Sequence, residues 1–194
     1  DVLKRATGEA ERQQAAARLD AGMDRMDRLV TQMLALSRLE TTDSLPQPRP
    51  VAWPAIVEQA MSDVLPLAER RHIELDCLWP PHGQPALPLQ GDADLLTVLL
   101  RNLLDNAVRY ADDGSTVTLR FDASRLAVEN DGTPLPEDIR TRLGERFHRV
   151  AGQRESGSGL GVSIVQRIAK LHGLGLSYRT RADGRGVVAE ISAA

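Results

Sequence analysis

The sequence predicts an α+β protein, in which a mixed β-sheet carries helices on one face and is preceded by part of a helical bundle. From residue 12 to 40 the chain has no proline and repeats apolar side chains at helical spacing, whereas beyond residue 50 helix-like and strand-like patterns alternate. Alternating prolines between the two parts favour an extended linker. The predicted division is a partial helical hairpin at 1–40, a linker at 41–50 with Pro46, Pro48 and Pro50, and an α/β sandwich at 51–194.

The N-terminal part is predicted to form a helix that packs in a bundle. Its apolar stripe alternates steps of three and four and consists of Leu19, Gly22, Met26, Leu29, Met33 and Leu36, widened by Ala16, Met23 and Val30. Residues 1–6 are interpreted as the end of a preceding antiparallel helix. Because so apolar a stripe needs partners and one hairpin supplies only two helices, a homodimer is expected to complete a four-helix bundle. The alternative is a helix folded onto its own domain.

The rest of the chain is predicted to alternate helices and strands. Pro54 suits a first helical turn, and Gly173 suits a C-terminal cap. The predicted helices are 54–69, 92–110, 137–143 and 159–172, and the predicted strands are 73–78, 116–121, 125–129, 174–181 and 185–191.

Composition excludes several classes of function. The formal net charge of −3 argues against a general nucleic-acid binder, because such proteins show a basic excess or patch. The longest uninterrupted apolar run is far too short to cross a bilayer, and no signal peptide is visible. We expect a soluble chain, whose single cysteine, Cys77, excludes an intrachain disulfide.

Two asparagines on the helix at 92–110 are the first candidate ligands. Asn102 and Asn106 are four residues apart, so they lie on one face, among leucines that cover most of the rest. Buried amides cost about 1–3 kcal/mol each unless they are satisfied, either by neighbouring loops or by a ligand or ion. Magnesium takes oxygen ligands and shares them with phosphates, so an Asn oxygen can join its coordination. Arg109 is placed to bring a positive charge near the same phosphates.

A glycine-rich run leads directly into the last predicted helix. Gly157, Gly159 and Gly161 let the backbone approach a phosphate closely, and the helix that follows offers free N–H groups to an anion. The run is not a dinucleotide fingerprint, because no predicted strand leads into it, and it lacks the Lys-Ser/Thr of a P-loop. Alone it is weak support, since such runs also occur in ordinary loops.

Five motifs follow one another in order along the chain. They are Asn102…Asn106, Asn130-Asp131-Gly132, Glu145-Arg146-Phe147, Gly157-Ser158-Gly159-Leu160-Gly161 and Gly184-Arg185-Gly186. This order resembles the asparagine, glycine and phenylalanine boxes of the sensor histidine kinases of bacterial two-component systems, and within them the QseC-like group. The resemblance covers essentially the whole chain, because residues 22–40 are similar to the second helix of the family's dimerisation and phosphotransfer hairpin.

The resemblance implies a Bergerat-type site for ATP and Mg²⁺, with Asn106 as the metal ligand. The implied nucleotide-binding residues are Asn102, Asn106, Arg109, Tyr110, Asn130, Gly132, Leu135, Phe147, Arg149, Arg154, Gly157, Gly159, Leu160 and Gly161. Phe147 is expected to anchor a mobile lid, and Arg149 or Arg154 either to reach the γ-phosphate or to be solvated. The family also implies a cognate response regulator as partner, and a cytoplasmic portion of an inner-membrane protein whose anchor lies outside this chain.

The first glycine box departs from the family pattern. Aligned on Gly132, Asn130 stands where the family has Asp, and Pro134 stands where it has a second Gly. The Asn Oδ1 atom still accepts a bond from the adenine amino group, but an uncharged acceptor gives a weaker bond. The sequence therefore predicts a working site with lowered affinity for ATP.

The family's phosphoacceptor is a histidine in a His-Glu/Asp-φ-Arg-x-Pro motif, and none of His72, His82, His148 and His172 matches it. We therefore expect ATP binding without autophosphorylation, with the acceptor histidine upstream. A hydrolytic ATPase of the same fold is one alternative, and Asn102 argues against it, because such ATPases carry a catalytic Glu there. A nucleotide-free interaction module that uses the Met-rich helix face is the other.

Overall fold

The computed structural model describes residues 47–134 and 160–193 without interruption, together with single residues between 13 and 45. Every described residue from 13 to 37 is helical. Met23, Met26 and Met33 each expose more than half of their surface, so the rest of the described chain does not cover this part of the apolar stripe. The helix predicted at 137–143 lies outside the described residues.

Within residues 47–134 and 160–193, seven strands form two sheets. The strands are β1 (Arg49–Pro50), β2 (Glu74–Leu78), β3 (Gln90–Gly91), β4 (Thr116–Phe121), β5 (Arg125–Asn130), β6 (Leu174–Thr180) and β7 (Val187–Ala193). The larger sheet has the order β2-β4-β5-β7-β6, in which β2 pairs in parallel with β4 and all other neighbours are antiparallel. This mixed sheet confirms the predicted α+β class.

The same two described stretches contain three helices, namely α1 (Trp53–Arg70), α2 (Ala93–Tyr110) and α3 (Gly161–Leu171). Pro54 lies in the first turn of α1, as predicted, where a missing N–H costs nothing. Asp92 precedes α2 as its N-cap, and its Oδ1 atom accepts a hydrogen bond from the Leu95 N–H at 3.0 Å. No helix in the described part of the chain is long and apolar enough to span a membrane.

The helices pack on one face of the larger sheet. Alternate residues of β4 point into the core, and Val117, Leu119 and Phe121 are at most 3% exposed. Leucines of α2 fill the space above them, among them Leu96, Leu99, Leu100, Leu103 and Leu104. The opposite face carries ion pairs between strands, Arg120 with Glu129 and Arg125 with Glu190. Because it packs against the sheet and the other two helices, α2 is buried along most of its length, including its polar residues Asn102 and Arg109.

The small sheet joins the end of the predicted linker to the start of α2. Arg49 pairs with Gly91 and Pro50 with Gln90, and the Val51 N–H donates to the Leu89 carbonyl at 3.0 Å. Prolines are tolerated there because these are edge strands. The sequence predicted an extended segment at this point, and the pairing fixes its end beside the N-terminus of α2.

Candidate nucleotide-binding site

The two asparagines of α2 lie against the first residue of α3. A β carbon added to Gly161 would lie 3.2 Å from Asn102 Oδ1 and 3.6 Å from Asn106 Nδ2. The distance of 3.2 Å to Asn102 Oδ1 is shorter than an ordinary van der Waals contact of a β carbon. The absence of a side chain at Gly161 therefore lets the backbone of α3 approach both amides closely. The asparagine pair and the last glycine of the glycine-rich run, which the resemblance assigns to one site, are therefore adjacent in the structure.

The environments of the two amides differ. Asn102 is 5% exposed, and its Nδ2 atom donates to the Val98 carbonyl at 2.7 Å, one turn earlier in the helix. Asn106 is half-buried, and no described residue forms a hydrogen bond with its side-chain amide. An amide that faces the start of a helix without a partner in the described chain is suited to bind a ligand or ion.

No described side chain caps the N-terminus of α3. Leu160 precedes the helix and is 1% exposed, and no acidic residue lies in the first turn. Ser163 does not cap the helix, because its hydroxyl donates to the Leu160 carbonyl at 2.8 Å. The first N–H groups of α3 and the positive end of its dipole therefore point out of the helix next to Asn102 and Asn106, an arrangement that favours an anion.

The segment after β5 packs on the C-terminal end of α2. Gly132 has φ +141°, and a β carbon there would lie 2.6 Å from the Tyr110 carbonyl oxygen. Ala111 forms a β-bridge with Gly132, and the Asp112 N–H donates to the Asp131 carbonyl at 3.2 Å. The segment Asp131–Gly132 is thus held against the end of α2, one turn beyond Asn106.

The turn at Gly184–Gly186 packs against the segment Asn130–Gly132. The Gly186 N–H donates to the Gly132 carbonyl at 2.7 Å, and Gly186 has φ +74°. Arg181, at the end of β6, forms an ion pair with Asp131. Asn130, which is 4% exposed, donates from Nδ2 to the Asp131 carbonyl at 3.0 Å. Oδ1 is then the acceptor that the Asn130 side chain offers to a ligand.

Arg109 is buried and paired with a residue that the sequence analysis did not single out. Its Nε and Nη2 atoms donate to the two carboxylate oxygens of Asp105 at 2.7 and 2.8 Å. The spacing of four along the helix was the available signal for this pair. A contact between Arg109 and a phosphate stays a prediction, as does the role of Tyr110, which is 40% exposed at the end of α2.

Six predicted site residues lie outside the described residues. They are Leu135, Phe147, Arg149, Arg154, Gly157 and Gly159. Their roles in a lid and at the γ-phosphate stay predictions.

His172 links the end of α3 to the start of α2. Its Nδ1 atom lies 2.8 Å from the Ile168 carbonyl at the end of α3, and its Nε2 atom accepts the Asp92 N–H at 3.0 Å at the start of α2. Together these bonds select the tautomer with its hydrogen on Nδ1. Gly91 makes room for the ring, because a β carbon there would lie 2.6 Å from it. His172 therefore has a structural role, and nothing in the local sequence pattern predicted it.

Metal binding in this region would rely on amide and phosphate oxygens. The described residues contain no group of three or more His, Cys, Asp or Glu side chains that could hold a metal ion. Burial raises the pKa of the Cys77 thiol to about 11, so this side chain is protonated at neutral pH and is no thiolate ligand. The oxygen of Asn106 suits a hard cation that shares its coordination with phosphates.

These features define an ATP-binding domain of the ATPase type, built on a mixed sheet that carries helices on one face. Residues 91–193 match the family described as histidine kinase-, DNA gyrase B- and HSP90-like ATPase, and the chain belongs to that family.

Within it, the chain is homologous to sensor histidine kinases and contains their catalytic domain. It is 38% identical over 181 residues to the sensor protein QseC of Escherichia coli K12, a match that covers 93% of this chain and 39% of QseC. The structure of the cytoplasmic segment of histidine kinase QseC is similar with a TM-score of 0.61 and 31% identity, covering 88% of this chain and 93% of that one. Full-length ShkA in complex with AMPPNP shares the fold, with a TM-score of 0.76 and 23% identity over 99% of this chain and 40% of its own.

Proposed function

We propose that this chain binds ATP with Mg²⁺ and transfers the γ-phosphoryl group to a histidine outside it, from which the group passes to an aspartate of a response regulator. The observation that carries the proposal is the half-buried amide of Asn106. It faces the start of α3, which no described side chain caps, and it forms no hydrogen bond with a described residue. The likeness to QseC supports the same conclusion, although the chain spans only 39% of the length of that relative.

In this proposal each element has one task. Asn106 would hold Mg²⁺ through its oxygen, and the ion would neutralise charge on the phosphates. The first N–H groups of α3, beginning at Gly161, bind phosphate oxygens. Asn130 accepts a hydrogen bond from the adenine amino group. Together these residues orient the nucleotide, and positioning is the main contribution of the protein to phosphoryl transfer.

Transfer to a protein is favoured over hydrolysis by the chemistry of Asn102. A hydrolytic ATPase needs a base that takes a proton from water, and an amide is no base at neutral pH. The Asn102 amide is also 5% exposed and already donates to the Val98 carbonyl. Water activation by this residue is therefore disfavoured on both chemical and steric grounds.

The partners follow from the proposed role. Met23, Met26, Val30 and Met33 expose 52–69% of their surface on the N-terminal helix, which supports a homodimer that buries this stripe in a helical bundle. The acceptor of the phosphoryl group after histidine would be a response regulator. The chain would then be a cytoplasmic portion of a membrane sensor whose anchor lies elsewhere in the full-length protein.

Nucleotide titration followed by phosphate labelling tests this function. We expect a fluorescent ATP analogue to bind the chain in a Mg²⁺-dependent manner, and labelled ATP to place acid-labile phosphate on the full-length kinase but not on this chain. The absence of nucleotide binding would favour the nucleotide-free interaction module. Steady release of inorganic phosphate without a phosphoprotein would favour the hydrolytic ATPase. Label on the chain itself would contradict the prediction that the phosphoacceptor histidine lies outside it.

Asn130→Asp is expected to increase the affinity for ATP about fivefold. A charged acceptor strengthens a hydrogen bond by about 1 kcal/mol, which corresponds to this factor. The variant loses the bond from Asn130 Nδ2 to the Asp131 carbonyl, so its free energy of unfolding is expected to fall by about 1 kcal/mol. Isothermal titration with Mg-ATP measures the affinity, with Asn130→Ala as a control that should bind more weakly than wild type. An unchanged or reduced affinity of Asn130→Asp would exclude a direct bond to adenine.

A further inference from the structure

The C-terminal end of α2 lacks the usual glycine cap. Its last carbonyl groups have no partners within the helix, and many helices satisfy them with a left-handed glycine just beyond the end. Here the following residue is Ala111, with φ −69° and ψ 154°, so the chain leaves the helix in an extended conformation. Other donors must therefore satisfy these carbonyls.

Arg71 supplies the missing donors from another part of the chain. Its Nη1 atom donates to the Val108 carbonyl at 2.7 Å and also to the Arg109 carbonyl, and its Nη2 atom donates to the Ala111 carbonyl at 3.0 Å. The Nε atom donates to Asp113 Oδ1 at 2.8 Å. A single guanidinium thus contacts the last turn of α2 and the three-residue segment 111–113 that follows it, at the negative end of the helix dipole.

The backbone of Arg71 is itself held in place. Its N–H donates to the Ala68 carbonyl at 3.1 Å, and its carbonyl accepts the Gly114 N–H at 3.1 Å. The side chain is 20% exposed, so its bonds are partly shielded from water. The guanidinium therefore connects the end of α1 rigidly to the end of α2.

The segment held by Arg71 is the one that supports the proposed nucleotide contacts. Asn106 lies one turn before Tyr110, and Ala111 and Asp112 bind the segment Asp131–Gly132 that follows Asn130. A shift of the end of α2 would move the proposed metal ligand and the proposed adenine ligand relative to each other. Displacements of about 1 Å in such constellations have large functional effects.

The geometry points to Arg71 as a positioning residue of the nucleotide site, which sets the relative placement of Asn106 and Asn130 without touching the ligand. This inference rests on the proposed function, since it requires that the two asparagines bind Mg-ATP. Arg71→Met is expected to raise the dissociation constant for Mg-ATP about tenfold, in the range observed when outer partners of a ligand are removed. Arg71→Lys keeps the charge without the planar fork and is expected to recover part of the affinity.

The experiment compares nucleotide affinity with stability in the same set of variants. Dissociation constants for a fluorescent ATP analogue are measured with and without Mg²⁺, and melting temperatures are measured without ligand. Arg125→Met is the matched control, because it removes an arginine that pairs with Asp122 and Glu190 on the opposite face of the sheet. Phe121→Leu destabilises the core at the end of β4 farthest from Ala111. Asp113→Asn removes only the ion pair of a 73% exposed carboxylate, which contributes little.

The inference holds if Arg71→Met weakens Mg-ATP binding about tenfold, Arg71→Lys binds with intermediate affinity, and the three controls stay within twofold of wild type. It is overturned if Arg71→Met lowers the melting temperature but keeps the wild-type dissociation constant, or if Phe121→Leu weakens binding as much at equal loss of stability. Wild-type chain that fails to bind Mg-ATP would instead contradict the proposed function, so the two failures are distinguishable.

Discussion

Gly186→Ala is expected to lower the free energy of unfolding by about 3 kcal/mol or more. Gly186 has φ +74°, a conformation that costs an alanine about 1–2 kcal/mol. A β carbon there would also overlap the backbone carbonyl of Asn130, which is part of a paired strand and has little room to move. Forced displacement of a packed backbone adds about 1–3 kcal/mol. The hydrogen bond from the Gly186 N–H to the Gly132 carbonyl would be strained by the same shift.

Gly184→Ala is the matched control for this prediction. Gly184 has φ +77° in the same turn, but a β carbon there would meet no atom within 4 Å. This variant should therefore lose only the conformational contribution of about 1–2 kcal/mol. Equilibrium unfolding in urea, with the slope held constant, measures both free energies. Equal losses in the two variants would show that the approach of residue 186 to Asn130 is not what requires glycine.

Nucleotide binding should respond to the same pair of variants. The shift forced by Gly186→Ala acts on Asn130 and on Gly132, which packs against the Tyr110 carbonyl. We expect its affinity for Mg-ATP to fall at temperatures where the domain is still folded, whereas Gly184→Ala should bind as wild type does. In this prediction the turn at Gly184–Gly186 would act on the proposed nucleotide site through its contact with the segment Asn130–Gly132.

The sequence predicted the parts of the site that local pattern encodes. The spacing of Asn102 and Asn106 places both on one helical face. The resemblance to the kinase family assigned Gly161 to the same site, and the structure places Gly161 beside both asparagines. The strand alternation of β4 and the N-terminal proline of α1 were also sufficient to predict those elements. These patterns involve residues that are close together in the chain, so they can be recognised from the sequence alone.

Contacts between distant segments were not predictable in the same way. Arg71 is 37–42 residues from the groups it binds, and His172 is 80 residues from Asp92. Arginine before a strand and histidine at a helix end each have ordinary explanations, and only the packing of α1, α2 and α3 brings them to their partners. The pair Asp105–Arg109 is a different case, because its spacing of four is visible in the sequence, and the pairing neutralises part of the charge of Arg109.

The last prediction separates function from stability at the centre of the site. Asn106→Ala is expected to weaken Mg-ATP binding about a hundredfold, because hydrogen bonds and contacts to charged groups are worth up to about 3 kcal/mol. The same change should leave the free energy of unfolding unaltered or raise it by up to about 0.5 kcal/mol. The Asn106 amide forms no hydrogen bond with a described residue, and alanine is the better helix former.

Two variants on the same helix make this result specific. Thr97→Ala removes an exposed hydroxyl that only donates to the Ala93 carbonyl, and it should bind Mg-ATP like wild type. Asn102→Ala removes a buried amide that donates to the Val98 carbonyl, and it should lose both stability and affinity. Calorimetric titration of the three variants measures their affinity for Mg-ATP, and urea unfolding measures their free energy of unfolding independently. If Asn106→Ala is more stable than wild type but no longer binds nucleotide, then Asn106 lowers the stability of the chain and is needed for binding. Such a trade-off is common in binding sites. If Asn106→Ala binds Mg-ATP with wild-type affinity, Asn106 is not the metal ligand.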